Sequence, residues 1–265
     1  PAPAWPSNPS SGHVVAGSAW HGPEMATNMS AAVALSNIDV NRGGQPIVHT
    51  VSASVMPASW FGVIGANGSG KTTLLRAIAG RLPIAKGSCA ILGQECARDR
   101  GARAQAIGLA PPIEHLPTSL RVSQLLELAG DPLDIQRQRN HRLWDALELA
   151  SLLEVPTGRC SSGMRQRAAL ALAFAAQCDI VILDEPFNWL DPVAAFDVRA
   201  VLACLVEEGL TLITALHDLT TLCGFCDSGI VMAKGRVSLG LDTAMLRAGR
   251  SDAARFESEL VAALR

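Results

Sequence analysis

An excess of positive charge is the first thing the chain lacks: 22 lysines and arginines stand against 24 acids, a net charge of -2. Nucleic-acid binding by phosphate neutralisation needs a basic face, and this balance supplies none, so no nucleic-acid partner is expected. Long apolar runs are missing too. The longest, such as Ala168 to Ala176, reach nine residues, far short of the roughly 20 needed to cross a bilayer, and the chain is not expected to form a channel itself. The seven cysteines are odd in number and scattered, so no disulfide framework is indicated and they read as free, small apolar side chains. Cys223 and Cys226 form a CxxC pair, half a zinc site at best, which reads as core packing. Tyrosine is absent, and Lys71 is one of only three lysines.

The 265 residues suit one large domain once the start is set aside. Residues 1–30 are rich in Pro, Ser, Gly and Ala, carry almost no charge and show no period, the composition of a disordered extension. They lack the basic beginning and continuous apolar centre of a secretory signal. Residues 31–265 are expected to form the domain.

Against these absences stands one dense motif. Gly65, Ala66, Asn67, Gly68, Ser69, Gly70, Lys71, Thr72 and Thr73 fit the phosphate-binding pattern GxxxxGK[ST], between a strand-like run (Trp60 to Ile64) and a helix-like run (Thr72 to Ala79). Glycine lets successive N–H groups curl around a phosphate without a Cβ in the way, and the following helix adds its positive end. Lys71 is expected at the β- and γ-phosphates and the Thr72 hydroxyl on Mg²⁺. A glycine-rich turn can be a simple connection, but the Lys-Thr-Thr ending favours a nucleoside triphosphate site.

Around the motif the chain alternates. Val33 to Val40 and Ile47 to Val55 read as strands joined by a turn at Gly43 and Gly44, and Gly87 to Leu92 as another strand. Leu125 to Ala129 and Leu143 to Leu153 carry apolar residues at helical spacing. After Cys160 to Arg167 an Ala/Leu-rich helix is expected to about Gln177, followed by the buried strand Ile180 to Leu183, helix 193–207, strand 210–215, helix 218–225, strands 229–233 and 236–240, and terminal helices. The succession argues an α/β fold with parallel crossovers. A buried strand ending in Asp184 supplies a second Mg²⁺ anchor, and Glu185 beside it can polarise a water for in-line attack on a γ-phosphorus.

With these acids in place, residues 33 to 250 resemble the ATP-binding-cassette (ABC) ATPases. The phosphate loop, a signature at Ser161-Ser162-Gly163-Met164, the acidic strand Ile180 to Glu185, a loop Asn188-Trp189-Leu190-Asp191 and a switch histidine at His217 come in family order. The resemblance implies a P-loop NTPase cassette with a RecA-like α/β core, an antiparallel β subdomain and a small α-helical subdomain at about 113–160. It also implies a head-to-tail dimer in which ATP and Mg²⁺ lie between the phosphate loop of one subunit and Ser161, Ser162, Gly163 and Met164 of the other. The signature's residues suit that place: serine caps a helix start and glycine allows close approach. By the same resemblance Glu185 and His217 are catalytic, and Asp191 links the two sites.

Departures from the family pattern carry their own expectations. Asn41 and Arg42 stand where an adenine-stacking aromatic is usual, so Arg42 is expected to stack as a planar cation. Pro112 stands where a glutamine ligand is expected, near Ile107 to Pro112, implying slower turnover or replacement by Glu114. Cys160 opens the signature and Met164 ends it, a form similar to export-type cassettes. The function implied is the ATP-hydrolysing subunit of an ABC transporter. It would sit at the cytoplasmic face of the cell membrane, dock through residues 110–155 onto a separate transmembrane subunit, and pair with a second ABC ATPase subunit as a homodimer or heterodimer. The alternative is a weakly hydrolysing regulatory cassette in a heteromeric complex, favoured by Pro112 and the missing aromatic and opposed by intact Lys71, Asp184, Glu185 and His217.

Overall fold

The computed structural model describes residues 31–264; the expected disorder of residues 1–30 lies outside them. The chain opens with β1 (Val33–Arg42) and β2 (Gln45–Val55), an antiparallel hairpin. Gly43 and Gly44 close it with φ of 59° and 79°, conformations that two-residue hairpin turns require. β3 (Trp60–Gly65) leads through the glycine-rich loop into α1 (Lys71–Ile78). β4 (Lys86–Ile91) and β5 (Gln94–Glu95) follow, then α2 (Arg100–Ala106) and the short β6 (Ile107–Leu109). A helical stretch carries α3 (Val122–Ala129), α4 (Leu133–Arg139), α5 (His141–Ala146) and α6 (Ser162–Ala173). β7 (Ile180–Asp184), α7 (Pro192–Glu207), β8 (Thr211–Leu216), α8 (Leu219–Phe225) and β9 (Ser228–Ala233) then alternate. β10 (Arg236–Leu241), α9 (Thr243–Ser251) and α10 (Ala253–Leu264) complete the described chain.

Two sheets result. The smaller has the order β2-β1-β4-β5 and is antiparallel; the larger has the order β10-β9-β3-β8-β7-β6. In the larger sheet all neighbours from β9 to β6 are parallel, and β10 alone runs antiparallel at its edge. Alternation along its strands divides the hydrophobic interior. Trp60, Ile64, Val181, Leu183, Leu212 and Leu216 pack with the helical stretch and with α7, α8 and α10. Phe61, Val63, Ile180, Ile182, Ile213 and Ala215 face α1 and the small sheet. Both faces are thus covered, which is why β3, β7 and β8 are buried almost throughout and read as near-continuous apolar runs.

Register matters for function because it aligns strand ends. Ile64 of β3 lies beside Leu216 of β8, and Ala215 lies beside Asp184 of β7. The carboxyl ends of three adjacent parallel strands therefore share one edge, the usual place for a ligand in such sheets.

Some elements differ from expectation. Ile107 to Leu109, expected in a loop, pair with β7 as an edge strand; a Cβ on Gly108 would come within 2.1 Å of the Ala173 carbonyl oxygen, so glycine alone lets strand and α6 approach. Leu143 to Leu153 split into α5 and a 3₁₀ turn at Leu149–Ser151, because Glu148 between them takes φ 48°. α6 ends at Ala173, short of Gln177, with Phe174 leaving helical geometry. Cys223 and Cys226 are buried in the core beneath α8, and burial pushes both thiols up. Among the described residues no helix is long and apolar enough to cross a membrane.

Candidate functional site

The glycine-rich loop closes tightly on itself. Gly68 and Gly70 have φ of 80° and 103°, and a Cβ on Gly65 would stand 2.4 Å from the Met232 carbonyl oxygen and 2.6 Å from Ser69 Oγ. Lys71 is only 5% exposed; its Nζ donates to the carbonyls of Gly65 at 2.7 Å and Ala66 at 3.4 Å. The loop thus holds its own cation, and the first N–H groups of α1 have no intrahelical acceptors. Asn67 to Thr73, with Arg42 and Ile47 from the β1–β2 hairpin and with Glu185, enclose a cleft of about 400 Å³. Arg42 therefore stands in the same cleft as the loop, as its sequence position requires.

A second cleft of about 270 Å³ opens on the other side of Thr72, lined by Arg76, Pro112, Glu114, Gln166, Asp184 and Asn188 among others. Asp184 accepts a hydrogen bond from the Thr72 side chain; burial pushes its carboxyl up, while the Thr72 bond and, more weakly, Arg76 oppose the shift. Its Oδ1 is a buried acceptor with no partner among the described residues. A hydroxyl beside a carboxylate with an unused buried oxygen is a donor set that fits a small, hard cation. The residues thus fit the expected Mg²⁺.

Glu185 follows with φ 50°, and its amide donates to Ala215 O at 3.1 Å. Its Oε2 accepts from Asn188 Nδ2 at 2.8 Å; its Oε1 lies 3.6 Å from His217 Nδ1 and 4.0 Å from Lys71 Nζ. His217, just beyond β8, is 53% exposed. The loop lysine, the strand-end acids and the histidine come together at one edge from three separate segments.

The signature residues do not join them. Ser161 caps α6, its Oγ accepting from Met164 N at 3.2 Å; Ser161 and Ser162 are exposed, and Met164 packs partly against the core. A Cβ on Gly163 would stand 2.8 Å from the Trp189 carbonyl oxygen. None of these residues lines either cleft. Asp191 caps α7, accepting from Val193 N at 3.1 Å and Ala194 N at 2.9 Å, and pairs with Arg167 at 3.3 Å. The Ala194 amide above all holds its carboxyl below the usual range. Gln166, Asn188 and Arg76 escaped the sequence reading as site residues; for Arg76 the spacing from Thr72, one helical turn, was an available signal.

A profile of the family described as "ABC transporter" matches residues 48–188, more than half of the chain. The chain belongs to this family. As a member it is an ABC-type ATPase cassette, with a RecA-like α/β core, an antiparallel β subdomain and a helical subdomain. Among curated relatives, the "Hemin import ATP-binding protein HmuV" of Pseudomonas fluorescens is 31% identical over 224 residues, covering 80% of this chain and 88% of that protein. The "Fe(3+) ions import ATP-binding protein FbpC" of the same species is 34% identical, over 78% of this chain and 60% of the relative. The "Nod factor export ATP-binding protein I" of Sinorhizobium fredii is 30% identical, over 77% and 61%. The chain thus spans about three fifths of the last two. Importers and exporters both occur among ABC relatives, so the export-like form of the signature does not set direction.

Solved ABC structures share the fold. The "Structure of ATP binding subunit of ABC transporter" aligns with a TM-score of 0.75 at 24% identity, covering 87% of this chain and 99% of that one. A dimeric bacterial ABC transporter cassette aligns at 0.69 and 22% identity, over 80% and 98%.

Proposed function

We propose that this cassette binds Mg²⁺–ATP at the edge formed by β3, β7 and β8, hydrolyses it with Glu185 as general base, and so energises transport by a separate transmembrane subunit. The single observation that carries this reading is the position of Glu185, whose Oε1 lies within 4.0 Å of Lys71 and 3.6 Å of His217. Gly65, Ala66, Asn67, Gly68, Ser69 and Gly70, with Lys71, Thr72 and Thr73, cradle the phosphates through backbone N–H groups. Lys71 leaves its loop carbonyls for the β- and γ-phosphates. Thr72 and Asp184 hold the metal; when bound, Mg²⁺ offsets the negative charge on the phosphates. Glu185 takes the proton of the attacking water, and His217 orients that water and the γ-phosphate.

Ser161 to Met164 lie apart from the clefts of their own chain while presenting a capped, glycine-containing helix start, which supports completion of each site by a second cassette. ATP would then close a dimer, homomeric or heteromeric, and hydrolysis reopen it. Asp191 would communicate between the two sites from its place at the head of α7. The transmembrane subunit would keep the cassette at the cytoplasmic face of the membrane.

Glu185→Gln tests this. The variant should bind ATP with parental affinity, accumulate as a nucleotide-bound dimer in size-exclusion chromatography, and lose at least about a hundredfold in turnover. Hydrolysis at the parental rate would sink the assignment.

A further inference from the structure

We propose that Gln166, on α6, is a positioning residue for hydrolysis: its amide fixes the turn that carries Glu185. This rests on the reading of Glu185 as the general base. The turn needs such a restraint. Glu185 has φ 50° and Trp189 φ 66°, left-handed conformations that neither side chain favours, and the residue before a proline is further biased toward extended backbone. Conformations of this kind persist only where the surroundings over-determine them.

The surroundings here are one face of α6. Gly163, Gln166 and Arg167 stand three and four residues apart and so share that face, and each meets the turn. Gly163 lets the Trp189 carbonyl approach to where a Cβ would stand 2.8 Å away, Gln166 Nε2 donates to the Pro186 carbonyl at 2.9 Å, and Arg167 pairs with Asp191 at 3.3 Å. These contacts differ in strength. The Arg167 pair reaches a largely exposed carboxylate and is weak for that reason, and the Gly163 contact is steric. The Gln166 bond is buried, the residue being only 8% exposed. Its acceptor is well chosen, because the proline ring locks φ of Pro186 and the bonded carbonyl then fixes ψ. With both angles set, the peptide leaving Glu185 has one direction, and the carboxylate is held between Lys71 and His217.

Gln166 has a second consequence. It sits one turn into the helix whose start carries Ser161 and Ser162, so a displacement of that start reaches Glu185 of the same chain through a single hydrogen bond. In the proposed dimer this joins the signature, which serves the other subunit's nucleotide, to the base that serves its own.

The test uses the full chain, with steady-state hydrolysis of Mg²⁺–ATP, nucleotide binding and thermal melting. Gln166→Leu keeps the volume and removes the donor; it should lower kcat about ten- to hundredfold and leave the KM for ATP and nucleotide binding at parental values. Gln166→His, whose Nε2–H reaches a similar point, should restore most of the rate. If the leucine variant does not fold, Gln166→Glu removes the same donor with the polarity kept. In a Glu185→Gln background the leucine change should have no further effect, since no base remains to be misplaced. A parental kcat in both donor-less variants, a loss shared equally with binding, or failure of histidine to restore the rate overturns the proposal. A fully active Glu185→Gln protein instead overturns the reading on which it rests.

Discussion

The cleft beneath Arg42 and Ile47 is lined mainly by the contiguous residues Asn67 to Thr73, whose proposed contribution is chiefly their loop backbone, whereas the cleft on the other side of Thr72 is lined by residues drawn from α1, β6, α6 and the Glu185 turn. A backbone wall offers N–H groups whose direction is set by φ and ψ, so its chemistry is carried by a few contiguous glycines and tolerates little change in shape. A side-chain wall is assembled from residues distant in sequence, each held by its own neighbours, and its chemistry is set by which groups are left without a partner. Lys71 and Glu185 mark where the two meet, 4.0 Å apart.

The largest effect is expected where the first cleft depends on the one charged side chain of its phosphate loop. Lys71→Ala removes a buried ammonium that two loop carbonyls hold. Charge-assisted hydrogen bonds contribute about 1.5–3 kcal/mol each, so ATP affinity should fall at least about tenfold to a hundredfold and turnover should fall below detection; equilibrium binding of a fluorescent ATP analogue measures the first. Affinity within twofold of parental would show that the backbone alone binds the phosphates.

The side-chain cleft is best probed by pH. Because burial raises the Asp184 carboxyl in the folded chain, protonation favours folding. The stabilising influence of the proton is fully present below the unfolded carboxylate pKa and is lost as pH rises through the folded value. Asp184→Asn, which carries no charge at any pH, should therefore melt higher than the parent at pH 7 to 8 when Mg²⁺ and nucleotide are withheld. The difference should shrink as pH falls through the carboxylate range. The same variant should lose Mg²⁺-dependent ATP hydrolysis. A lower melting temperature at pH 8 would mean that the Thr72 bond outweighs the burial of the charge.

The contrast between the clefts also explains how much could be read from sequence. Gly65 to Thr73 and Ile180 to Glu185 were legible because each packs its signal into a few adjacent residues: glycines before a lysine, and an apolar run ended by acids. The central sheet followed, since strands buried on both faces show as near-continuous apolar runs. α2 was not legible. Its sequence from Arg100 to Ala106 has no apolar period, and the residue that anchors it, Arg103, is wholly buried with its guanidinium donating to the carbonyls of Ala77, Cys96, Ala97 and Leu82. An arginine reads as a surface residue until the carbonyls that receive it are known. Gln166 and Asn188 were missed as site residues for the same reason, because their roles lie in what they bond and not in their spacing.

The smallest effect tests Arg42, an exposed side chain of the first cleft. Arg42 occupies the wall opposite the phosphate loop together with Ile47, where a planar base attached to the phosphates can rest against a planar guanidinium. Stacking and cation–π contacts at exposed positions contribute about 0.5–1 kcal/mol, which corresponds to about twofold to fivefold in affinity. Arg42→Ala should weaken ATP binding by that factor and leave kcat unchanged, because the contact is made equally before and during hydrolysis. Arg42→Tyr should recover the affinity, since an aromatic ring can stack on the base in place of the guanidinium. Equal affinities in all three proteins would place the base elsewhere and leave the cleft a phosphate site alone. In that case the Lys71 and Asp184 variants would retain their effects, because neither depends on where the base lies.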